Sequence, residues 1–160
     1  MKICILIFLL VATFTVHAQN SDCITNPPDF SKLSYGEANA VVNSEKTKNV
    51  CPGYIANLAS QLRRGDLSDD NKTVAIYFLG TLRPTDTNSI EILIENIDFR
   101  ALKLDPKTDL RRWGQFPAEE ALIKIGKPVI EPILEHLPKE TSELRRQLMC
   151  NVLKQVLREK

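Results

Sequence analysis

The sequence predicts an all-α fold, and three observations carry that prediction. From Tyr35 onward, apolar residues recur at the i, i+3, i+4, i+7 spacing of a helix face through successive segments. Prolines stand where such segments begin and glycines where they end, as at Pro52 and Gly65 or Pro117 and Gly126. No segment keeps the period-two alternation of a half-buried strand, although Ile90 to Ile97 is rich enough in β-branched residues to come nearest.

The elements follow in chain order. Residues 19–34 read as an irregular arm rich in Asn, Asp, Ser and Pro. Tyr35 to Asn43 forms a short helix, ended by the polar run Asn43 to Asn49. Pro52 suits the first turn of a second helix carrying Ile55, Leu58, Ala59 and Leu62, closed by Gly65. Asp69 or Asp70 caps a third, with Val74, Phe78 and Leu82 on one face. It ends at Arg83, because a residue before proline is pushed out of helical geometry. Thr87 or Asn88 caps a fourth, bearing Ile90, Leu93, Ile94 and Ile97. Asp98 to Phe116, with Pro106 and Gly114, reads as one long connection. Pro117 opens a fifth helix through Ile125, and Pro128 a sixth through Leu137. Ser142 caps the last, which runs almost to Lys160 with Leu144, Leu148, Val152 and Val156 on its face.

Ahead of the arm lies a segment of another kind. Lys2 supplies a positive charge, Ile3 to Val16 is an uncharged apolar run, and Val16-His17-Ala18 offers small residues at −3 and −1. Residues 1–18 therefore read as a secretory signal peptide cleaved after Ala18, with residues 35–160 as the helical domain. The apolar run is shorter than the roughly 20 residues a bilayer span requires, so no membrane span remains after cleavage. Export to a periplasm or the extracellular space follows. Cleavage leaves about 140 residues, the usual size of one domain. It removes Lys2 as the only charged residue, so acids and bases then balance. A neutral chain gives no electrostatic case for nucleic acid or an anionic membrane as partner.

Cys23, Cys51 and Cys150 remain, and an oxidising compartment favours one disulfide with one thiol left over. Cys23 with Cys51 is the preferred pair among three, because both lie in the N-terminal third outside the strongest helical patterns. Their bridge would tether the Asn26-Pro27-Pro28 stretch. Cys150 is expected as a semi-buried free thiol within a helix. Asn71-Lys72-Thr73 fits the N-glycosylation pattern.

Ala75-Ile76-Tyr77-Phe78-Leu79-Gly80 and Ala121-Leu122-Ile123-Lys124-Ile125-Gly126 share an A-x-x-x-[LI]-G frame, each followed by a second apolar helix. Ala118, Ala121, Leu122, Ile125, Gly126, Pro128, Ile130, Pro132, Leu134 and Leu137 together resemble one unit of the short bacterial HEAT-like repeat. The stretch from Lys72 to Ile97 is a partial match that lacks the prolines. The resemblance implies a short α-solenoid of stacked antiparallel helix pairs, with alanines allowing close packing and glycine making the turn. It implies no catalytic residues. The chain also resembles exported bacterial HEAT-repeat proteins in which a tryptophan-containing connection precedes the best repeat, as Arg112 to Pro117 does here.

No residue pattern points to catalysis. His136 is the only histidine after cleavage, and its neighbours Leu134 and Leu137 read as core positions, so a boundary histidine near a helix C-terminus is expected. Asp69-Asp70 and Glu119-Glu120 fall in the first turns of helices, where capping accounts for them. No phosphate loop, nucleophile elbow or metal-ligand spacing is present, and no cofactor is implied. Arg111, Arg112, Trp113 and Phe116 combine residue types enriched at binding hot spots, in a connection of unusual length. A packing role competes and is preferred, with Trp113 and Phe116 plugging the core between repeats. In the last helix, Met149, Leu153 and Leu157 widen the apolar stripe. That width suits a helix wedged between neighbours, or one that meets a partner or a second copy. The functional expectation is a non-catalytic scaffold for protein–protein interaction. The alternative is a small-molecule carrier or enzyme with a pocket between repeats.

Overall fold

A helix leaves its first N–H groups without partners, so its start is set where a side chain or a proline resolves them. The computed structural model, which describes residues 23–46, 48–101 and 115–158, shows how each start is met. α1 (Tyr35–Glu45) has a capping box, in which Ser34 accepts from the Glu37 N–H and Glu37 reaches back to the Ser34 N–H. α2 (Pro52–Arg64) begins on proline and ends at Gly65, whose φ of 73° needs no Cβ accommodated. α3 (Asp69–Leu82) is capped by Ser68, which places Asp69 and Asp70 in the first turn. α4 (Thr87–Glu95) is capped by Asp86, one residue ahead of the expected Thr87. α5 (Pro117–Ile125) again begins on proline, and α6 (Ile130–His136) and α7 (Glu143–Arg158) complete the order.

Two boundaries and one turn differ from expectation for physical reasons. α1 runs two residues past Asn43, with the Ser44 hydroxyl donating back to the Val41 carbonyl and Glu45 accepting from the Tyr54 hydroxyl of α2. Pro128 sits in a 3-10 turn (Lys127–Val129), so α6 itself starts at Ile130 and Pro132 is its third residue, where an N–H would have had no partner inside the helix. Of the two frame glycines only Gly126 makes a turn, at φ 83°. Gly80 lies inside α3, which ends at the expected Arg83, here in the left-handed region at φ 50°.

Packing alternates along the chain. α1 lies on α3, α3 on α5 and α5 on α7, while α2 lies on α4 and α4 on α6. Each even helix also meets the odd helix that follows it. The most extensive contact is between α3 and α5, the two helices that carry the shared frame. A single apolar core joins both sets, with Tyr54, Leu58, Phe78, Leu93, Leu122 and Ile133 among its fully buried members. Each such side chain contributes about 1.5–3 kcal/mol. Tyr54 meets Phe78 edge-on, with ring centroids 6.0 Å apart. The described residues contain α-helices and short 3-10 turns but no strand, and none of their helices is long and apolar enough to cross a membrane.

Residues 23–34 form a fastened cover. A disulfide joins Cys23 to Cys51 with Cα atoms 5.3 Å apart, and Ile24 exchanges backbone hydrogen bonds with Asn49 and Cys51 at 3.0 and 2.9 Å. Phe30 is fully buried. Its N–H donates to Gln61 Oε1 at 2.9 Å, and its carbonyl accepts from Asn71 Nδ2 at 2.8 Å. Asn71 Nδ2 also donates to the Leu33 carbonyl at 2.7 Å. With 4% of its surface exposed and both amide hydrogens engaged, Asn71 is not offered to a glycan in the folded protein. At the other end, Met149 and Val152 of α7 are buried, while Leu157 remains 64% exposed. The wedge expectation therefore holds for one side of the helix only. Cys150 is exposed on that outer side, which corrects the semi-buried expectation.

Candidate functional site

Arg111, Arg112 and Trp113 lie outside the described residues, as do residues 1–18 of the expected signal peptide. Of the expected binding residues, Phe116 is described, and it sits at a foot of the long connection. The Ala101 N–H donates to the Gln115 carbonyl at 3.3 Å, so the two feet are joined. Phe116 is half-buried against the core, with the Arg100 guanidinium 5.3 Å from its ring centroid. Next to it on the chain's other foot, the Lys72 ammonium of α3 stands 4.5 Å over the Phe99 ring. Burial pushes the Lys72 pKa below its ordinary value. Phe116 thus touches the core on one side and Arg100 on another.

The even helices, with Arg145 of α7, build a different surface, in which His136 is the one residue that the sequence singles out. Arg63 of α2 forks onto Glu95 of α4 at 2.7 and 2.9 Å and donates to Asn88 at 2.9 Å. The hydrogen bond from Arg63 holds the Glu95 carboxyl below the usual carboxylate range. His136 of α6 hydrogen-bonds Glu91 of α4, which gives the boundary histidine a partner across the helix pair. Arg145 of α7 donates to the Ile94 and Glu95 carbonyls at 3.1 Å each, at the α4 C-terminus, where carbonyls run out of intrahelical donors. It also meets Asp98 at 2.8 Å and Glu140 at 2.7 Å. That hydrogen bond from Arg145, with one from the Ser142 N–H, lowers the Glu140 pKa.

Between α4 and the start of α6 lies an open groove of about 340 Å³, lined by Thr85, Thr87, Ile90, Pro128, Glu131, Pro132 and Glu135. Ile90 and Pro132 are buried and form its apolar floor. Glu131 and Glu135, one helical turn apart, are exposed, and neither has a cationic partner among the described residues. Leu134, expected in the core, is 53% exposed on the same short helix. Ile133 and Val129 occupy the inward positions instead, because the 3-10 turn shifts the helical phase by a fraction of a turn. The i, i+4 glutamate pair was visible in the sequence; its meeting with Thr85 and Thr87, some forty residues earlier, was not.

A second depression of about 290 Å³ is lined by Asn26, Pro27, Asp29, Asn57, Ser60, Gln61 and Arg64. Its polar groups are engaged with one another. Gln61 donates to the Pro28 carbonyl at 2.9 Å, Asn57 to Asn26 at 3.1 Å, and Arg64 to Asp29 at 2.5 Å. Hydrogen bonds from Ser31 and then from Arg64 drive the Asp29 pKa far below the carboxylate range. This depression is a fastening. Among the described residues, no three His, Cys, Asp or Glu side chains converge as metal ligands would. In comparisons with protein-family models, curated proteins and solved structures, the chain matches none of them.

Proposed function

We propose that the chain is an exported, non-catalytic scaffold, a short HEAT-like α-solenoid that holds a protein partner in the periplasm or outside the cell. The alternating packing of odd and even helices supports the solenoid reading, since stacked helix pairs bury their faces in this order. The observation that carries the binding reading is the α4/α6 groove, with two uncompensated carboxylates and an exposed leucine beside it. The Arg111-Arg112-Trp113 segment is the other docking site within this reading. A homodimer through α7 is a further form of it, supported by Leu157 and Cys150 on the helix's outer side.

The small-molecule reading draws on the same groove, whose volume falls within the range of ligand pockets. The exposed Leu134 beside it favours a protein surface instead. A photoreactive amino acid placed in turn at Leu134, Trp113 and Asp70 tests the proposal in the native compartment. An adduct of one mass at Leu134 supports the even-helix face, and one at Trp113 supports the connection. Adducts of equal yield at all three positions, or at none, would overturn the reading. The mass of the chain recovered outside the cytoplasm tests cleavage after Ala18.

A further inference from the structure

The α4/α6 groove is open, yet its chemistry is one-sided. We infer that it receives a basic side chain, lysine or arginine, from an extended segment of a partner polypeptide; this rests on the protein-binding reading above.

Charge gives the first argument. On the even-helix face and beside it, Glu95 is matched by Arg63, Asp98 and Glu140 are matched by Arg145, and Glu91 is hydrogen-bonded to His136. Asp86 is used as the α4 cap. Glu131 and Glu135 are left, and both line the groove. Two carboxylates one turn apart repel each other, and a cation between them would turn that repulsion into attraction.

Shape gives the second. The floor of Ile90, Pro128 and Pro132 suits the methylene stem of lysine or arginine, which buries its apolar length while the charged head stays with polar partners. The hydroxyls of Thr85 and Thr87 on the opposite wall can accept the N–H groups that the carboxylates leave unmatched. Leu134, 53% exposed on the turn that carries the glutamates, offers an apolar contact outside the groove. A free amine could not use that contact, whereas a chain running across α6 could. The occupant is therefore a peptide segment that is both basic and apolar.

The test uses the mature chain and a fluorescein-labelled peptide alternating arginine and leucine, followed by anisotropy and by amide shifts of the 15N-labelled protein. Controls are the peptide with glutamate for arginine, N-acetyl-arginine amide, and the Glu131→Gln/Glu135→Gln variant. Both substituted positions are exposed, so the variant keeps its fold, which circular dichroism checks. Supporting results are shifts concentrated at Thr85, Thr87, Glu131 and Glu135, and a roughly tenfold loss of affinity in the double variant. Weakening with added salt also supports it. The inference is overturned by unchanged affinity in the double variant, by shifts scattered over the surface, or by equal binding of the glutamate peptide. Equal saturation by N-acetyl-arginine amide also overturns it, in favour of a small cationic ligand. Failure of the unsubstituted chain to bind the arginine–leucine peptide, together with an adduct at Leu134, would remove the basic occupant and leave the protein-binding reading standing.

Discussion

The two ends of this helical array are closed by opposite means. At the N-terminal end an irregular segment covers the core, and its backbone groups have to be satisfied one at a time. Gln61 and Asn71 do this with buried amides, while Arg64 and the Cys23–Cys51 disulfide hold the segment from outside. At the C-terminal end a helix does the covering. α7 brings its own backbone hydrogen bonds, so it needs only apolar residues on one side and two side-chain anchors, Arg145 and Asn151, the second donating to Glu119 of α5. Irregular covers cost specific polar partners, and helical covers cost only pattern. This explains why buried amides cluster near residue 30 and are absent from the described core positions of α7.

The comparison can be broken at its strongest point first. Phe30→Ala removes the fully buried side chain of the arm, which Ile24 and Leu33 only flank, and a loss of about 3–5 kcal/mol is expected in urea unfolding. Limited proteolysis should then cut within residues 24–33 of the folded protein. Replacing Cys23 and Cys51 together by serine should cost about 3–4 kcal/mol, because a loop of 28 residues is freed in the unfolded state. The arm should stay docked in that variant, as amide exchange at Phe30 would show. At the other end, Arg145→Ala should cost about 1–3 kcal/mol, since the Glu95 carbonyl loses the donor that Arg145 supplies and Asp98 and Glu140 lose their cationic partner. It should also speed exchange in the last turn of α4.

Acid sharpens the contrast with a smaller effect. Asp29 and Glu95 have folded pKa values below their unfolded ones, through Ser31 and Arg64 in one case and Arg63 in the other. Their contribution is present above the ordinary carboxylate value near 4 and is lost as pH falls below it. Glu120 acts in the opposite sense, because burial and then Glu119 raise its pKa, so protonation relieves it. The urea midpoint should fall from pH 5 to pH 3, and the fall should shrink in Asp29→Asn. An unchanged slope in that variant would show that the arm's carboxylate adds nothing.

Much of the helical framework was legible because helix ends are local events. Pro52, Gly65, Pro117 and Gly126 stand where a local rule puts them. Caps shifted by one residue where several capping side chains stand in series, as in Ser68-Asp69-Asp70 and Asp86-Thr87-Asn88; propensity cannot choose among neighbours that packing can. Leu134 departs from its expected core position because the 3-10 turn shifts the phase of α6, and Cys150 departs because the wide apolar arc of α7 does not say which edge faces inward. The groove was illegible for a deeper reason. It exists only where α4 and α6 lie side by side, and no local pattern encodes that meeting.

Asn71 has one more consequence, for how the protein is made. In a secretory pathway that attaches glycans to Asn-X-Thr, the sugar is transferred to the chain before it has folded. A glycosylated Asn71 loses one of the two N–H donors that hold Phe30 and Leu33, and it gains bulk beneath the arm. A chain that folds first hides the acceptor for good. The two outcomes exclude each other, so such a host would sort its product into a heavier, arm-released population and a lighter native one.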